Sequence, residues 1–292
     1  MALPDGRAAE DRNVLQSLDL SDPLVARHYM AAMHVLHGLP GFDWYDGCFL
    51  AKFEAARRML AIVRPDESRR FAAAFDTLRT RADFEVRRVH DVLPPARFAD
   101  FLAQLRAVPA SSLHGHERGD FGRRIARDLP ILAELQFELM PLVAELAGEA
   151  VEPCYTFLSL YDGAGTCAPH LDAPSAKWTL DLCLAQSGEW PIHFSSVVPW
   201  PTSDADGNVP AATAFRSHSL RPNEALLFSG SSQWHYRDAI PDAGFCHLAF
   251  LHYHPAGCAD LVRPARWAAH FDMPELAILD AVFETLRPDR RQ

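Results

Sequence analysis

The chain has 292 residues, with 28 Lys and Arg against 38 Asp and Glu, a formal net charge of −10, and 49% apolar residues. This composition excludes disorder as the main state, because it supplies ample apolar surface to bury. The acidic balance argues against the basic face that a nucleic-acid footprint needs. No apolar run approaches the roughly 20 residues of a membrane span. The six cysteines form no C-x-x-C pair, which removes zinc-knuckle and thioredoxin-like motifs. The expectation is a soluble, cytoplasmic protein with reduced thiols.

Residues 1–20 are polar. Ser21-Asp22-Pro23 has the residues of a helix start, a capping side chain followed by proline in the first turn. Leu24, Tyr29, Met33 and Leu36 then recur at helical spacing up to a break at Gly38–Gly41. Further helices are predicted over 49–63 and 67–79, so residues 1–85 read as an N-terminal helical segment. A helix over 94–106 carries Phe98, Phe101, Leu102 and Leu105 on one face. A long helix over 127–148 ends at Gly148. The pairs Arg87-Arg88 and Arg123-Arg124 read as solvated helix faces.

Beyond 150 the chain changes character. Strands are predicted over 155–161, 178–184, 192–198, 223–228, 234–238 and 245–253, from aromatic and β-branched content and from alternation. Turns fall at Asp162–Gly165, Ser187-Gly188, Asp206-Gly207 and Asp242–Gly244. A last amphipathic helix covers 273–287. Many strands joined by short turns imply a sandwich or barrel. The expected division is 1–85, helical, and 86–292, a barrel domain with flanking helices and its strands over about 150–255.

The chemistry-bearing feature is His170-x-Asp172, followed later by His235. On an extended segment residues i and i+2 share a face, so both side chains can reach one ion. A second histidine from a strand folding back beside them completes two imidazoles and one carboxylate. That facial triad leaves adjacent coordination positions open and suits non-haem iron(II). His252-x-His254 also places two histidines on one face, but without a third partner it reads as structural.

The surroundings of the triad carry a resemblance. Before it stand Tyr161-Asp162-Gly163-Ala164-Gly165; after it come Lys177-Trp178-Thr179, Gly188-Glu189-Trp190-Pro191-Ile192-His193-Phe194 and Leu220-Arg221-Pro222-Asn223-Glu224-Ala225-Leu226-Leu227-Phe228. In this order the features resemble the barrel of the 2-oxoglutarate- and iron(II)-dependent oxygenases, over about 150–255. The resemblance implies an α+β fold with a double-stranded β-helix (jelly-roll or cupin-like) core braced by helices. It implies iron(II), 2-oxoglutarate and dioxygen as cofactor and cosubstrates, with His170, Asp172 and His235 on the metal. The implied activity is a dioxygenase that hydroxylates an unactivated C–H bond of a small metabolite, amino acid or peptide side chain, releasing succinate and carbon dioxide. The aspartate at 172 favours hydroxylation or desaturation over halogenation.

One family feature is missing. An Arg or Lys normally follows the distal histidine by about ten residues and binds the far carboxylate of 2-oxoglutarate. Here that stretch is Gly244-Phe245-Cys246-His247-Leu248-Ala249. Arg237 leads as substitute, sharing the inward face with His235; His247 and Lys177 follow. Tyr161 and Tyr155 are further candidates for hydrogen bonds to the cosubstrate. Two alternatives stay open: a non-haem iron oxygenase on the same barrel that does not use 2-oxoglutarate, and a non-catalytic barrel serving as a binding or scaffold module. The expected partner is a small-molecule or peptide substrate, without nucleic acid or membrane, and a homodimer through the N-terminal helices is an open expectation.

Overall fold

The computed structural model describes residues 18–286 apart from 40, 45, 202–212 and 242. The polar stretch 1–17, the Asp206-Gly207 turn and Asp242 of the expected turns lie outside the described residues. The chain divides into two units. Residues 18–77, 201 and 258–286 belong to one, residues 78–200 and 213–257 to the other. This differs from the expected division at residue 85. The C-terminal helix, expected to brace the barrel, belongs with the N-terminal helices.

The helical unit begins as its sequence predicts. Asp22 caps the Pro23–His37 helix, its carboxylate accepting from Leu24 N–H at 2.8 Å, with proline in the first turn. Helices Cys48–Val63 and Pro65–Ala74 follow, and Trp267–Phe271 and Glu275–Leu286 return from the C-terminal end. Phe49, Phe53, Phe71, Phe75, Trp267 and Phe271 meet edge to face and stacked, with centroids 4.8–6.3 Å apart. This aromatic core explains the grouping. The Trp267 and Phe271 rings bury against Phe71 and Phe75, and Lys52 bonds Asp280 and Glu284 of the last helix.

Among the described residues, the second unit holds ten strands in two antiparallel sheets: β1 (Arg87–Val89), β2 (Arg123–Arg127), β3 (Val151–Tyr161), β4 (Cys167–His170), β5 (Trp178–Gln186), β6 (Ile192–Phe194), β7 (Arg216–His218), β8 (Ala225–Ser229), β9 (His235–Arg237) and β10 (Cys246–Pro255). The larger sheet runs β1-β8-β5-β10-β3-β2, the smaller β4-β9-β6-β7. Side chains of the two sheets meet in the space between them, as where Phe194 of β6 contacts Phe228 of β8, centroids 4.7 Å apart.

The outer face of the larger sheet is covered by helices Pro95–Arg106 and Pro130–Ala147. Trp178, Leu180, Leu182 and Leu184 of β5 and Ala249, Leu251 and Tyr253 of β10 pack there with Phe101, Leu105, Leu132, Leu135 and Leu139. With both faces covered, β5 is buried along Trp178–Leu184, and its alternate residues Thr179, Asp181 and Cys183 are left to face inward.

Two expectations are corrected here. Arg87-Arg88 and Arg123-Arg124 lie on strands, not helices; β2 pairs along β3 with Arg123 opposite Tyr161. The long helix cannot begin at 127, because the residue before Pro130 is held extended, Leu129 having ψ 133°. It starts at Pro130 and ends at Gly148, whose φ of 73° closes the last turn. Among the described residues, no helix is long and apolar enough to cross a membrane.

Candidate metal centre

β4 ends at His170 and β9 opens at His235. The strands pair antiparallel with the two histidines directly opposite each other. The pairing therefore sets the imidazoles side by side, with centroids 4.1 Å apart. Asp172 lies just beyond β4, and its Oδ1 stands 3.5 Å from His170 Nε2 and 3.6 Å from His235 Nε2. One donor atom from each residue falls within 4.8 Å of the others; Asp172 and His235 are buried and His170 is half-buried.

Backbone contacts fix which nitrogens face inward. His170 Nδ1 lies 2.9 Å from the Ala168 carbonyl and His235 Nδ1 lies 2.9 Å from the Gln233 carbonyl. A carbonyl only accepts, so each Nδ1 carries the hydrogen and each Nε2 is turned toward Asp172. Orienting the second nitrogen in this way is how a metal-ligating histidine is normally held. Asp172 is anchored as well. Its backbone N–H donates to the Gly230 carbonyl at 2.9 Å, and its Oδ2 accepts from Thr179 Oγ1 at 3.2 Å, which leaves Oδ1 for the centre.

The electrostatics describe an electron-rich site. Burial alone would raise the Asp172 carboxyl, but the His235 and His170 imidazoles hold it well below the usual carboxylate range. Burial pushes His235 down to about 4, with His170 adding to the effect. Against burial, the nearby Cys167 thiol and Asp172 raise His170 well above its ordinary value. Two inward nitrogens and a carboxylate at one point form a donor set for a divalent cation, with open coordination positions.

The other predicted residues are placed as follows. Arg237 is buried, and its guanidinium donates to Asp181 Oδ2 at 2.8 Å and to the Trp190 carbonyl at 2.5 Å. It lies two residues beyond His235 on the same inward face of β9. Tyr161 is buried, and its hydroxyl accepts from Arg123 Nη1 at 2.6 Å; burial pushes this phenol up to about 12. Tyr155 lies against His252, centroids 4.2 Å apart and the rings tilted by 35°.

The structure does not bring Lys177 or His247 to the triad. Lys177 Nζ pairs with Glu149 at 2.6 Å. His247 lies opposite Leu160 on β3, and Leu160 packs on the helix-covered face. His247 therefore points out of the space between the sheets.

Sequence reasoning missed three residues. Arg123 is 8% exposed and bonds Glu117 Oε2 at 2.5 Å; a double arginine read as a solvated helix face gives no sign of this. His252 of the H-x-H pair lies opposite Thr179 on β5 and bonds its hydroxyl at 3.0 Å, which joins it to Asp172. The clue was the parity that puts His252 on the inward face of β10. Gly230 is the third: a Cβ there would lie 2.1 Å from Asp172 Oδ2 and 2.8 Å from the Ala176 carbonyl.

No protein-family model and no curated protein matches the chain. Solved structures do. The chain is similar to the non-heme alpha ketoglutarate dependent epimerase SnoN from nogalamycin biosynthesis, with 16% identity, 68% of this chain and 90% of that chain covered, and a TM-score of 0.49. It is similar to HygX from Streptomyces hygroscopicus, a structure with nickel and 2-oxoglutarate bound, with 13% identity, 64% and 86% covered, and a TM-score of 0.47. It is also similar to a Pseudomonas putida prolyl-4-hydroxylase, with 15% identity, 64% and 99% covered, and a TM-score of 0.43. At these identities and TM-scores the site of the present chain is read from its own geometry, the His–Asp–His group that could hold a metal ion.

Proposed function

We propose that this protein is an iron(II)- and 2-oxoglutarate-dependent oxygenase, a hydroxylase acting on a small molecule or a peptide side chain. The observation that carries this reading is the triad His170, Asp172 and His235, with both Nδ1 atoms committed to backbone carbonyls and both Nε2 atoms facing one carboxylate oxygen. The strand order fits a double-stranded β-helix: β3, β5, β8 and β10 belong to one sheet and β4, β6, β7 and β9 to the other, so the chain passes repeatedly between the two.

The residues fit the metal. Three protein ligands leave room for a chelating cosubstrate and dioxygen, and the Thr179 hydroxyl orients the carboxylate. The residues also fit an anionic cosubstrate. Arg237 pairs with Asp181, and Arg123 and Arg127 share Glu117, so among these pairs three guanidinium groups meet two carboxylates. When bound, iron(II) with 2-oxoglutarate would supply oxygen activation by oxidative decarboxylation. The chain's own part would be to hold the ligands in one tautomer, to offer a guanidinium to the far carboxylate, and to exclude water with Phe194, Phe228 and Trp190. We assign Arg237 as the lead anchor, with Tyr161 beside it.

The fit is tested by anaerobic titration. Iron(II) should bind the protein, and His170→Ala should lose that binding. Adding 2-oxoglutarate should then produce a visible charge-transfer band, and Arg237→Met should weaken it. An unchanged iron affinity in His170→Ala would overturn the reading.

A second reading, an iron oxygenase that does not use 2-oxoglutarate, is favoured by one observation. The charge of Arg237 is already met by Asp181. A band that never appears, with iron bound, would select it.

A further inference from the structure

A third inward-facing histidine lies beside the triad, and its hydrogen bonds dictate what it must meet. Ionised Asp172 can only accept, and the single Thr179 hydroxyl proton goes to its Oδ2 at 3.2 Å, because a charge-assisted bond outweighs a neutral one. Thr179 Oγ1 must then accept from His252 Nδ1, 3.0 Å away. A neutral imidazole that donates from Nδ1 has a bare lone pair on Nε2. Burial supports the neutral form, pushing His252 down to about 4. His252 is 3% exposed, and among the described residues its Nε2 has no hydrogen-bond partner.

The surroundings of this orphaned acceptor are aromatic and aligned. Tyr155 and Phe157 of β3 and Phe250 and His252 of β10 form a row of rings within about 35° of parallel, Tyr155 being tilted 35° to His252. The interplanar angle is 10° between Tyr155 and Phe157, 28° between Phe157 and His252, and 2° between Phe250 and His252. Tyr155 and Phe157 are half-buried, so part of each ring stays open. Aligned rings favour another flat ring in offset or edge contact. A carboxylate would be repelled by the Nε2 lone pair, so this is not where an anionic cosubstrate ends.

We propose that His252 is a specificity residue of the site, whose Nε2 accepts a hydrogen bond from an O–H or N–H group carried on a flat ring that lies against Tyr155 and Phe157. This rests on the oxygenase reading, and it names the substrate class: a phenol-like or N–H heterocyclic compound. A substrate lacking the donor leaves a buried acceptor unpaired, which costs about 10-fold or more in affinity.

The experiment uses the full-length chain, labelled with ¹⁵N-histidine and free of added metal. It titrates phenol against anisole and indole against 1-methylindole, reading the imidazole nitrogen resonances. The expected result is that phenol and indole bind about 10-fold or more tightly than their methylated counterparts and shift the His252 Nε2 resonance, whereas His252→Phe binds both members of each pair alike. Equal affinities in the wild-type chain, an unmoved Nε2 resonance, no binding of any probe, or a preference that survives His252→Phe would each overturn the proposal. The resonance is read on the wild-type chain, so a variant that folds poorly does not decide the outcome. Iron(II) titration of the same sample is scored separately: lost iron binding with the donor preference intact refutes the oxygenase reading alone.

Discussion

Gly230 holds Asp172 from two directions. Its carbonyl accepts the Asp172 backbone N–H at 2.9 Å, and its missing side chain leaves the space the carboxylate occupies, since a Cβ would stand 2.1 Å from Oδ2. The close contact is with the metal-side carboxylate and with the Ala176 backbone carbonyl at 2.8 Å, not with the end of a flexible side chain. Gly230→Ala must therefore displace Asp172. The expected result is a 10–100-fold loss of iron(II) affinity, the size of effect seen when the support of a ligand is disturbed, with a near-native far-ultraviolet spectrum. Iron(II) titration of a Gly230→Ala protein checks it; unchanged affinity would place the carboxylate elsewhere.

Arg237 and Asp181 form a buried ion pair, 4% and 0% exposed at their side chains. Breaking such a pair leaves a charge without compensation and costs about 3–5 kcal/mol, whereas replacing both partners by apolar residues is often near neutral. Asp181→Asn is expected to be strongly destabilised in urea. Asp181→Leu combined with Arg237→Met should recover most of that loss. The double variant then separates stability from binding: a folded protein that still binds 2-oxoglutarate normally removes Arg237 as the anchor and leaves Arg123, which bonds Tyr161 at 2.6 Å.

How far the sequence could be read follows from what each segment touches. The β5 and β10 strands were legible because each is long and covered on the outer face by helices: in β5 Leu180 and Leu182 alternate with inward Thr179 and Asp181, and β10 reads as a long apolar and aromatic run. The triad was legible because its order along the chain and its i, i+2 spacing are local properties. Apart from β4, read only as an extended H-x-D segment, the strands that went unread are β1, β2 and β7, and all four lie at sheet edges. Edge strands are short and charged, and Arg87-Arg88, Arg123-Arg124 and Arg216 leave no alternating pattern to see. His252 and Gly230 went unread for another reason. Their roles are set by register, His252 opposite Thr179 and Gly230 beside Asp172, between segments far apart in sequence.

In the helical unit, Lys52 is held by Asp280 and Glu284. Against burial, which would lower it, the two carboxylates raise its amine above the ordinary value. A lysine raised in the folded state contributes stability that is full below its unfolded value, about 10.4, and is lost as pH rises through the folded one. The urea midpoint is expected to fall as pH rises above about 10.4, and Lys52→Met should flatten that limb while lowering stability at pH 8. An identical alkaline limb in the variant would reject the assignment.

His252 makes the opposite prediction on the acid side. Its folded value is pushed down to about 4 by burial, with Asp172 opposing and Arg127, His235 and Arg123 assisting, against about 6.5 in the unfolded chain. The folded state thus binds fewer protons than the unfolded state between these values. Stability from the neutral imidazole is full above about 6.5, is lost as pH falls toward 4, and changes no further below that. For metal-free protein the loss at pH 5 should be roughly 2 kcal/mol from this residue. His252→Gln keeps a polar side chain but cannot titrate, so its urea midpoint should fall less steeply between pH 6.5 and 4.5. His235, also pushed down to about 4, supplies a parallel slope in both proteins, so the difference between the two curves isolates His252. If the curves run parallel, burial does not hold the imidazole at 252 neutral through this range, and its Nε2 is not the bare acceptor assigned above.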